Sequence, residues 1–150
     1  MTTAIFAGSF DPFTIGHEDI ARRALQIVDH LVIGVGINEQ KKYWLSTDER
    51  ISAITQLFAD EPRVTVKGYS DLTIDFVKRE GAQFVVKGVR SVKDFEYERE
   101  QADINREIGG LETILLCATP QLAHVSSTIV RTLAHFGKDI TPFLPQQKKP

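Results

Sequence analysis

Cysteine is almost absent from this chain of 150 residues, which has only Cys117. One thiol cannot close an internal disulfide, and without a CxxC neighbour it offers no zinc ligand set. Its expected state is a reduced, partly buried small hydrophobe, and no protein metal ligand is expected. Long apolar runs are also missing, so no segment needs a lipid phase and no membrane partner is expected. The stretch Met1 to Phe6 has no basic n-region and no small-residue cleavage site, so the protein is expected to be cytoplasmic. An excess of positive charge is lacking too. With 18 Lys and Arg against 20 Asp and Glu, net charge −2, the chain has no broad basic field for nucleic acid, and any polyanion site must be local. No internal repeat and no linker is visible. What is present, 42% hydrophobic and 25% charged residues, suits one globular domain over 1–150, with 146–150 expected as an irregular tail.

Val- and Ile-rich runs alternate with segments of helical period, the mark of an α/β fold with a parallel sheet. Strands are expected over Thr3 to Ala7, Leu31 to Ile37, Arg63 to Val66, Phe84 to Val86 and Thr113 to Leu116. The fold expected is a Rossmann-like, doubly wound, five-stranded parallel sheet with helices on both faces. Ile20, Ala24, Ile27 and Val28 recur at helical spacing and mark the first crossover helix. Ser46 followed by Glu49 is a capping box for a second helix, with Ile51, Ile54, Leu57 and Phe58 as its apolar stripe. Ser70 or Asp71 is expected to cap a third helix that ends at Gly81. Asp94 is expected to open a fourth, stopped near Gly109 and Gly110, and Ser127 to Phe136 forms a fifth, stopped at Gly137.

In open α/β sheets ligands bind beyond the carboxyl ends of the strands, so runs that join a strand to a helix matter most. The run Gly8-Ser9-Phe10-Asp11-Pro12-Phe13-Thr14-Ile15-Gly16-His17 leads from the first strand into the first helix. Its glycines allow close backbone approach, and the helix start offers free N–H groups to a phosphate. His17, in that first turn, can donate a hydrogen bond to charge developing on phosphoryl oxygens. Lys87-Gly88-Val89-Arg90, expected directly after the fourth strand, reads equally as a solvated basic turn and as an anion site. Ala123-His124-Val125-Ser126-Ser127-Thr128 precedes the last helix; capping accounts for one or two of its hydroxyls, and three in succession suggest phosphate.

These residues carry a resemblance. Gly8 to Pro12 with Thr14-Ile15-Gly16-His17 resembles the TxGH variant of the HxGH signature of a nucleotidyltransferase superfamily. Lys87 to Arg90 followed by Asp94-Phe95-Glu96-Tyr97-Glu98 is similar to the corresponding tract of the phosphopantetheine adenylyltransferases. Lys41-Lys42, Tyr69 to Leu72, Val125 to Thr128 and Phe143 to Pro145 match that family in order. The resemblance covers almost the whole chain and implies adenylyl transfer from ATP to 4′-phosphopantetheine, giving dephospho-coenzyme A and pyrophosphate. It implies that Ser9, Phe10, His17, Gly88, Val89, Arg90 and Glu98 line the ATP site with Leu122, Ala123, His124, Val125, Ser126, Ser127 and Thr128. It also implies that Ser9, Lys41, Thr73 and Lys87 hold the incoming substrate, and that His17 and Lys41 are catalytic. A Mg²⁺ held mainly by ATP phosphates and water, coenzyme A as a feedback inhibitor and a homohexamer are further implications. Lys87 stands where arginine is more usual in the family, replacing a bidentate fork by a point charge. Tyr43-Trp44 and His124 also depart from the pattern, and the C-terminal tail is short.

The chemistry fits independently. A phosphate monoester with a second pKa near ~6 is already largely ionised at neutral pH and needs no general base. The chain accordingly offers no recognisable Ser-His-Asp or Cys-His arrangement. Three other readings carry less. A nicotinate mononucleotide or glycerol phosphate nucleotidyltransferase does not account for the tract Lys87 to Glu98. A dinucleotide-dependent oxidoreductase fails because the third glycine after Gly34-Val35-Gly36 would fall at Glu39. A non-catalytic nucleotide sensor has no reason to keep both His17 and Lys41.

Overall fold

Local signals fix where the helices begin, and the sheet fixes where they lie. The computed structural model describes residues 1–146; 147–150 lie outside it, so of the expected tail only Gln146 is described, and it has no regular structure. In chain order the elements are β1 (Thr3–Gly8), α1 (Ile15–Ala24), β2 (His30–Gly36), α2 (Thr47–Leu57), β3 (Val64–Tyr69), α3 (Thr73–Arg79), β4 (Phe84–Val89), α4 (Val92–Gly109), β5 (Glu112–Cys117) and α5 (Ser127–His135). Short 3₁₀ turns occupy Pro120–Leu122 and Thr141–Phe143.

The five strands form one parallel sheet in the order β3-β2-β1-β4-β5. The chain winds outward from β1 to β3, then crosses back to lay β4 on the other side of β1. The order therefore reverses between β1 and β4, the place where such sheets open a crevice at their carboxyl ends.

Both faces of the central strands are covered, which explains the unbroken apolar runs in the sequence. On one face Ala4, Phe6, Leu31, Ile33 and Val86 pack under Ile20, Ala21 and Ala24 of α1 and Ile54 of α2. On the other, Ile5, Ala7, Val32 and Val85 pack under Phe76 and Val77 of α3. Each of the Val, Leu, Ile and Phe side chains among them, fully buried, contributes roughly 1.5–3 kcal/mol. Gly34 takes part through what it lacks: a Cβ there would stand 2.6 Å from the Phe76 ring and 3.1 Å from Tyr69, whose rings stack at 4.4 Å.

The Ser46–Glu49 capping box forms as expected. Other boundaries shift. α1 ends at Ala24, so Ile27 falls in the following turn and is exposed rather than part of a buried stripe. Neither Ser70 nor Asp71 caps α3; its N-cap is Leu72, and the Asp71 carboxylate instead pairs with Arg79 at 2.6 Å. Ser91, not Asp94, caps α4, accepting the Asp94 N–H. Gly110, with φ 65°, is its left-handed cap, while Gly109 still belongs to the helix. Cys117, the last residue of the edge strand β5, is exposed, contrary to the partial burial expected.

Candidate active site

A cavity of about 310 Å³ opens where the strand order reverses, walled by the loop after β1, the start of α1, the end of β4 and the start of α5. Ser9, Phe10, His17, Lys87, Gly88, Arg90 and Glu98, drawn together from the first hundred residues, line it. Leu122, Val125, Ser126, Ser127 and Thr128 close it from the C-terminal side.

The loop after β1 is built like core. Phe10 adopts φ 51°, in the left-handed region that side chains rarely enter, and the turn drives its ring to 5.2 Å from Phe6 and 5.1 Å from Phe13. Three elements grip the loop from outside. Arg50 of α2, 1% exposed, donates to the Ser9 carbonyl at 2.7 Å and the Gly36 carbonyl at 3.0 Å. The Asp11 carboxylate accepts the Trp44 and Leu45 N–H groups, both at 2.8 Å. From α5, Arg131 donates to the Asp11 carbonyl and Ser127 to the Pro12 carbonyl, both at 2.8 Å. With its backbone so held, Ser9 faces the cavity without needing a ligand to order it.

His17 is the third residue of α1 and completes a second capping box. Its N–H donates to Thr14 Oγ1 at 3.3 Å, and its Nδ1 accepts the Thr14 N–H at 2.9 Å. Because Nδ1 is an acceptor, the proton of the neutral ring sits on Nε2. Desolvation, then the positive charges of Arg90 and Lys87, push the imidazole pKa down to about 4, so the ring is neutral at physiological pH. Phe10, edge-on at 5.1 Å, fixes its plane.

Lys87, Gly88 and Val89 do not follow β4 as expected; they are its last residues, paired with Leu115, Leu116 and Cys117 of β5, and only Arg90 lies beyond. Lys87 lines the cavity, its ammonium 3.5 Å from the Ala7 carbonyl and 3.7 Å from Glu98 Oε2. Val89 is buried and does not line the cavity. Gly88 lies beneath α1, where a Cβ would meet Ile20 at 2.9 Å. Arg90 is held by Asp94 at 3.1 Å. Glu98 Oε2 is buried and accepts no hydrogen bond from any described residue, leaving an acceptor at the cavity wall for a ligand donor.

The hydroxyls at the start of α5 each have a partner within the protein. Ser126 accepts the Ile129 N–H as N-cap, Ser127 holds Pro12, and Thr128 accepts from Arg131 at 3.4 Å. Ala123 and His124 sit in the preceding turn outside the cavity lining, with His124 edge-on to Phe143. Lys41 lies on the exposed loop after β2 and does not line the cavity either. Thr73 opens α3 and bonds the Tyr69 hydroxyl at 3.1 Å, away from the cavity lining. Arg131 and Arg50 escaped sequence reasoning. The available signal was an arginine on an otherwise apolar helical stripe, as at Arg50 beside Ile51 and Ile54.

The sequence model of the cytidylyltransferase-like family matches residues 5–133. Phosphopantetheine adenylyltransferases are similar over nearly the full chain. That of Phocaeicola vulgatus is 58% identical over 99% of both chains, that of Bacteroides fragilis 52% over 97% of both, and that of Flavobacterium johnsoniae 42% over 97% of this chain and 95% of its own. Among solved structures, a bifunctional NMN adenylyltransferase/ADP ribose pyrophosphatase from Francisella tularensis superposes with a TM-score of 0.73 at 15% identity, covering 98% of this chain and 46% of that one. At that identity the likeness speaks for the fold, and it agrees with the doubly wound sheet described above. Matched by the family model and by relatives of this identity along its length, the chain belongs to the cytidylyltransferase-like nucleotidyltransferases, in the branch of the phosphopantetheine adenylyltransferases.

Proposed function

We propose that this chain transfers the adenylyl group of ATP to 4′-phosphopantetheine, releasing pyrophosphate and forming dephospho-coenzyme A. The observation that carries the reading is the 310 Å³ cavity, in which a neutral imidazole, the cations Lys87, Arg90 and Arg131 and a rigid glycine loop meet at the sheet's switch point. The 42–58% identity to phosphopantetheine adenylyltransferases supports the acceptor.

In this scheme a phosphate oxygen of the acceptor attacks the α-phosphorus of ATP. The bond from that phosphorus to the bridging oxygen of the β-phosphate breaks, and pyrophosphate leaves with the electron pair. No proton need be removed from the nucleophile, so the task of the protein is alignment and charge stabilisation. Ser9 and the α1 start receive ATP phosphates, and the Nε2–H of His17 donates to charge that grows on them in the transition state. Lys87 and Lys41 attract the acceptor phosphate, and Glu98 Oε2 accepts from a nucleotide hydroxyl. Gly88 and Arg90, on either side of the buried Val89, and the segment from Leu122 to Thr128 border the nucleotide, and Thr73 meets the pantetheine arm.

Asp11 is engaged by two amides and Asp94 by Arg90, and Glu98 stands 3.7 Å from the Lys87 ammonium. A Mg²⁺ carried by the phosphates and water suits such a lining and, when bound, neutralises phosphate charge. Coenzyme A, which shares the product's nucleotide and pantetheine parts, is proposed to compete for the same cavity. The cytoplasm, where both substrates are available, is the proposed compartment. A homohexamer is also proposed. α4 buries none of its 18 residues and exposes Val92, Phe95, Ile104 and Ile108, an apolar surface suited to contact between copies.

Mass spectrometry after incubation with ATP and 4′-phosphopantetheine should show dephospho-coenzyme A. A product only with nicotinate mononucleotide or glycerol phosphate would reassign the acceptor. Sedimentation at the mass of a monomer would remove the hexamer.

A further inference from the structure

We propose that Tyr43 is a positioning residue for use of the acceptor, shaping the loop that carries Lys41 and fastening it to the buried anchor of the phosphate loop. The inference rests on the activity proposed above and on Lys41 serving the acceptor phosphate.

Three sets of contacts meet at this tyrosine. Its hydroxyl accepts the Asn38 N–H at 2.9 Å and donates, more weakly, to the Gly36 carbonyl at 3.4 Å, so it closes the loop onto its own beginning. Asn38 in turn accepts the Lys41 N–H on its carbonyl at 2.9 Å and the Gln40 N–H on Oδ1 at 3.0 Å. The backbone of Lys41 is thus set by a residue that Tyr43 holds.

The ring of Tyr43 does the rest. The guanidinium carbon of Arg50 lies 3.9 Å from its centroid, and the Lys41 ammonium lies 5.6 Å from it. Arg50 is the buried cation that also donates to the Ser9 and Gly36 carbonyls and to Thr47 Oγ1. A chain of contacts therefore runs from Ser9 through Arg50 and Tyr43 to Lys41. The Trp44 and Leu45 amides on Asp11 make a parallel tie one residue further on.

A free lysine side chain has rotamer freedom, part of which must be given up to hold a phosphate. A ring that already restrains the ammonium, on a loop already closed, reduces that loss. The benefit falls on the substrate that Lys41 serves. ATP phosphates, received by the separately anchored loop after β1, gain little.

Steady-state kinetics with each substrate varied in turn tests this. Tyr43→Ala removes the ring contacts and both hydrogen bonds of the hydroxyl, so kcat/KM for phosphopantetheine should fall about tenfold while ATP affinity stays within about twofold. Tyr43→Phe keeps the ring and should lose about threefold, and it carries the test if the alanine variant does not fold. In a Lys41→Ala background, Tyr43→Ala should have little further effect, because both act through one group. Parental kcat/KM in both variants, equal losses for both substrates, or full additivity with Lys41→Ala would overturn the assignment. Trp44 is the chain's one tryptophan and adjoins Tyr43. Acrylamide quenching of its fluorescence should rise in Tyr43→Ala, a readout that needs no turnover. Unchanged quenching would refute the link even if the parent proved inactive toward phosphopantetheine, a result that would itself count only against the activity.

Discussion

Two loops leave the carboxyl ends of neighbouring strands, one from β1 over Gly8 to Thr14 and one from β2 over Ile37 to Leu45, and they are built in opposite ways. In the first, Phe10, Asp11, Phe13 and Thr14 are at most 6% exposed, its carbonyls are met from α2 and α5, and its carboxylate by the Trp44 and Leu45 amides. In the second, Asn38 to Lys42 are exposed and Trp44 is 47% exposed. The difference suits what each is proposed to do. A group that stabilises transition-state charge is effective when its position is fixed beforehand, because nothing then reorganises during reaction. A cation that gathers a substrate phosphate from water must itself be reachable by water. Substitutions in the first loop should therefore act on stability and turnover, and those in the second on substrate capture.

The largest effect is expected at the anchor of the buried loop. Arg50→Met keeps the apolar stem but leaves the Ser9 and Gly36 carbonyls without their donor. The loss should be about 3 kcal/mol, in the range for breaking a buried charge-assisted interaction from one side. Urea denaturation would show it as a lower midpoint with an unchanged slope. A shift equivalent to less than about 1 kcal/mol would mean that water replaces the guanidinium and that the loop is not held as described.

Next comes His17→Ala. Loss of a donor aimed at developing charge lowers kcat on the order of 10²-fold, or about 2.7 kcal/mol of barrier, with ATP affinity changed little. If ATP binding is lost while kcat stays at the parental value, His17 is a ground-state ligand and the contrast between the loops fails at its centre.

The cations of the acceptor side give smaller and different effects. Lys87→Met should raise KM for phosphopantetheine about tenfold, and that KM should climb with ionic strength in the parent, since a single lysine contributes a screened point charge. Lys41→Ala should act in the same direction and Lys42→Ala should stay within about twofold, because only Lys41 has its ammonium near the Tyr43 ring. Equal, small effects of the two alanine substitutions would place both lysines on an ordinary solvated surface.

The sequence showed the buried loop better than the exposed one, for physical reasons. Glycine spacing, a TxGH pattern and a helix start leave marks within ten residues, and strands buried on both faces leave apolar runs. The box of Ser46 and Glu49 was readable because its two hydrogen bonds are local. The end of β4 was not, because Lys87 and Gly88 do not resemble strand residues. They are held in the strand by β5, almost thirty residues later, and by the fit of Gly88 under Ile20. Arg50 was hidden because an arginine on an amphipathic helix ordinarily reads as solvated, and its burial depends on where the carbonyls of two distant loops happen to end. The hydroxyls of Ser126, Ser127 and Thr128 read as a phosphate cradle, and the structure gives each one a partner within the chain.

The smallest effect concerns protons, and it tests whether the buried loop sets the state of His17 or only its place. The ring's pKa is about 4 against an ordinary 6.5, lowered by desolvation first and by Arg90 and Lys87 next. Between those values the unfolded chain binds the proton and the folded one does not, so stability attributable to this group falls as pH drops from 6.5 toward 4 and is unaffected above it. Catalytically the ring should change almost nothing across the working range. At pH 5.5 only a few per cent of it, roughly, is protonated, and the acid limb of the rate profile near pH ~6 belongs to the acceptor phosphate. Nitrogen-15 NMR of labelled histidine should show the Nε2–H tautomer of His17 persisting through pH 5.5, with its titration completed only below pH 4. In Lys87→Met the midpoint should move up by a fraction of a unit, because one of the neighbouring charges is gone. A midpoint near 6.5 in the parent would mean that water reaches the ring freely and that the loop positions His17 without tuning it. The pH dependence of kcat would then have to be reassigned to the enzyme.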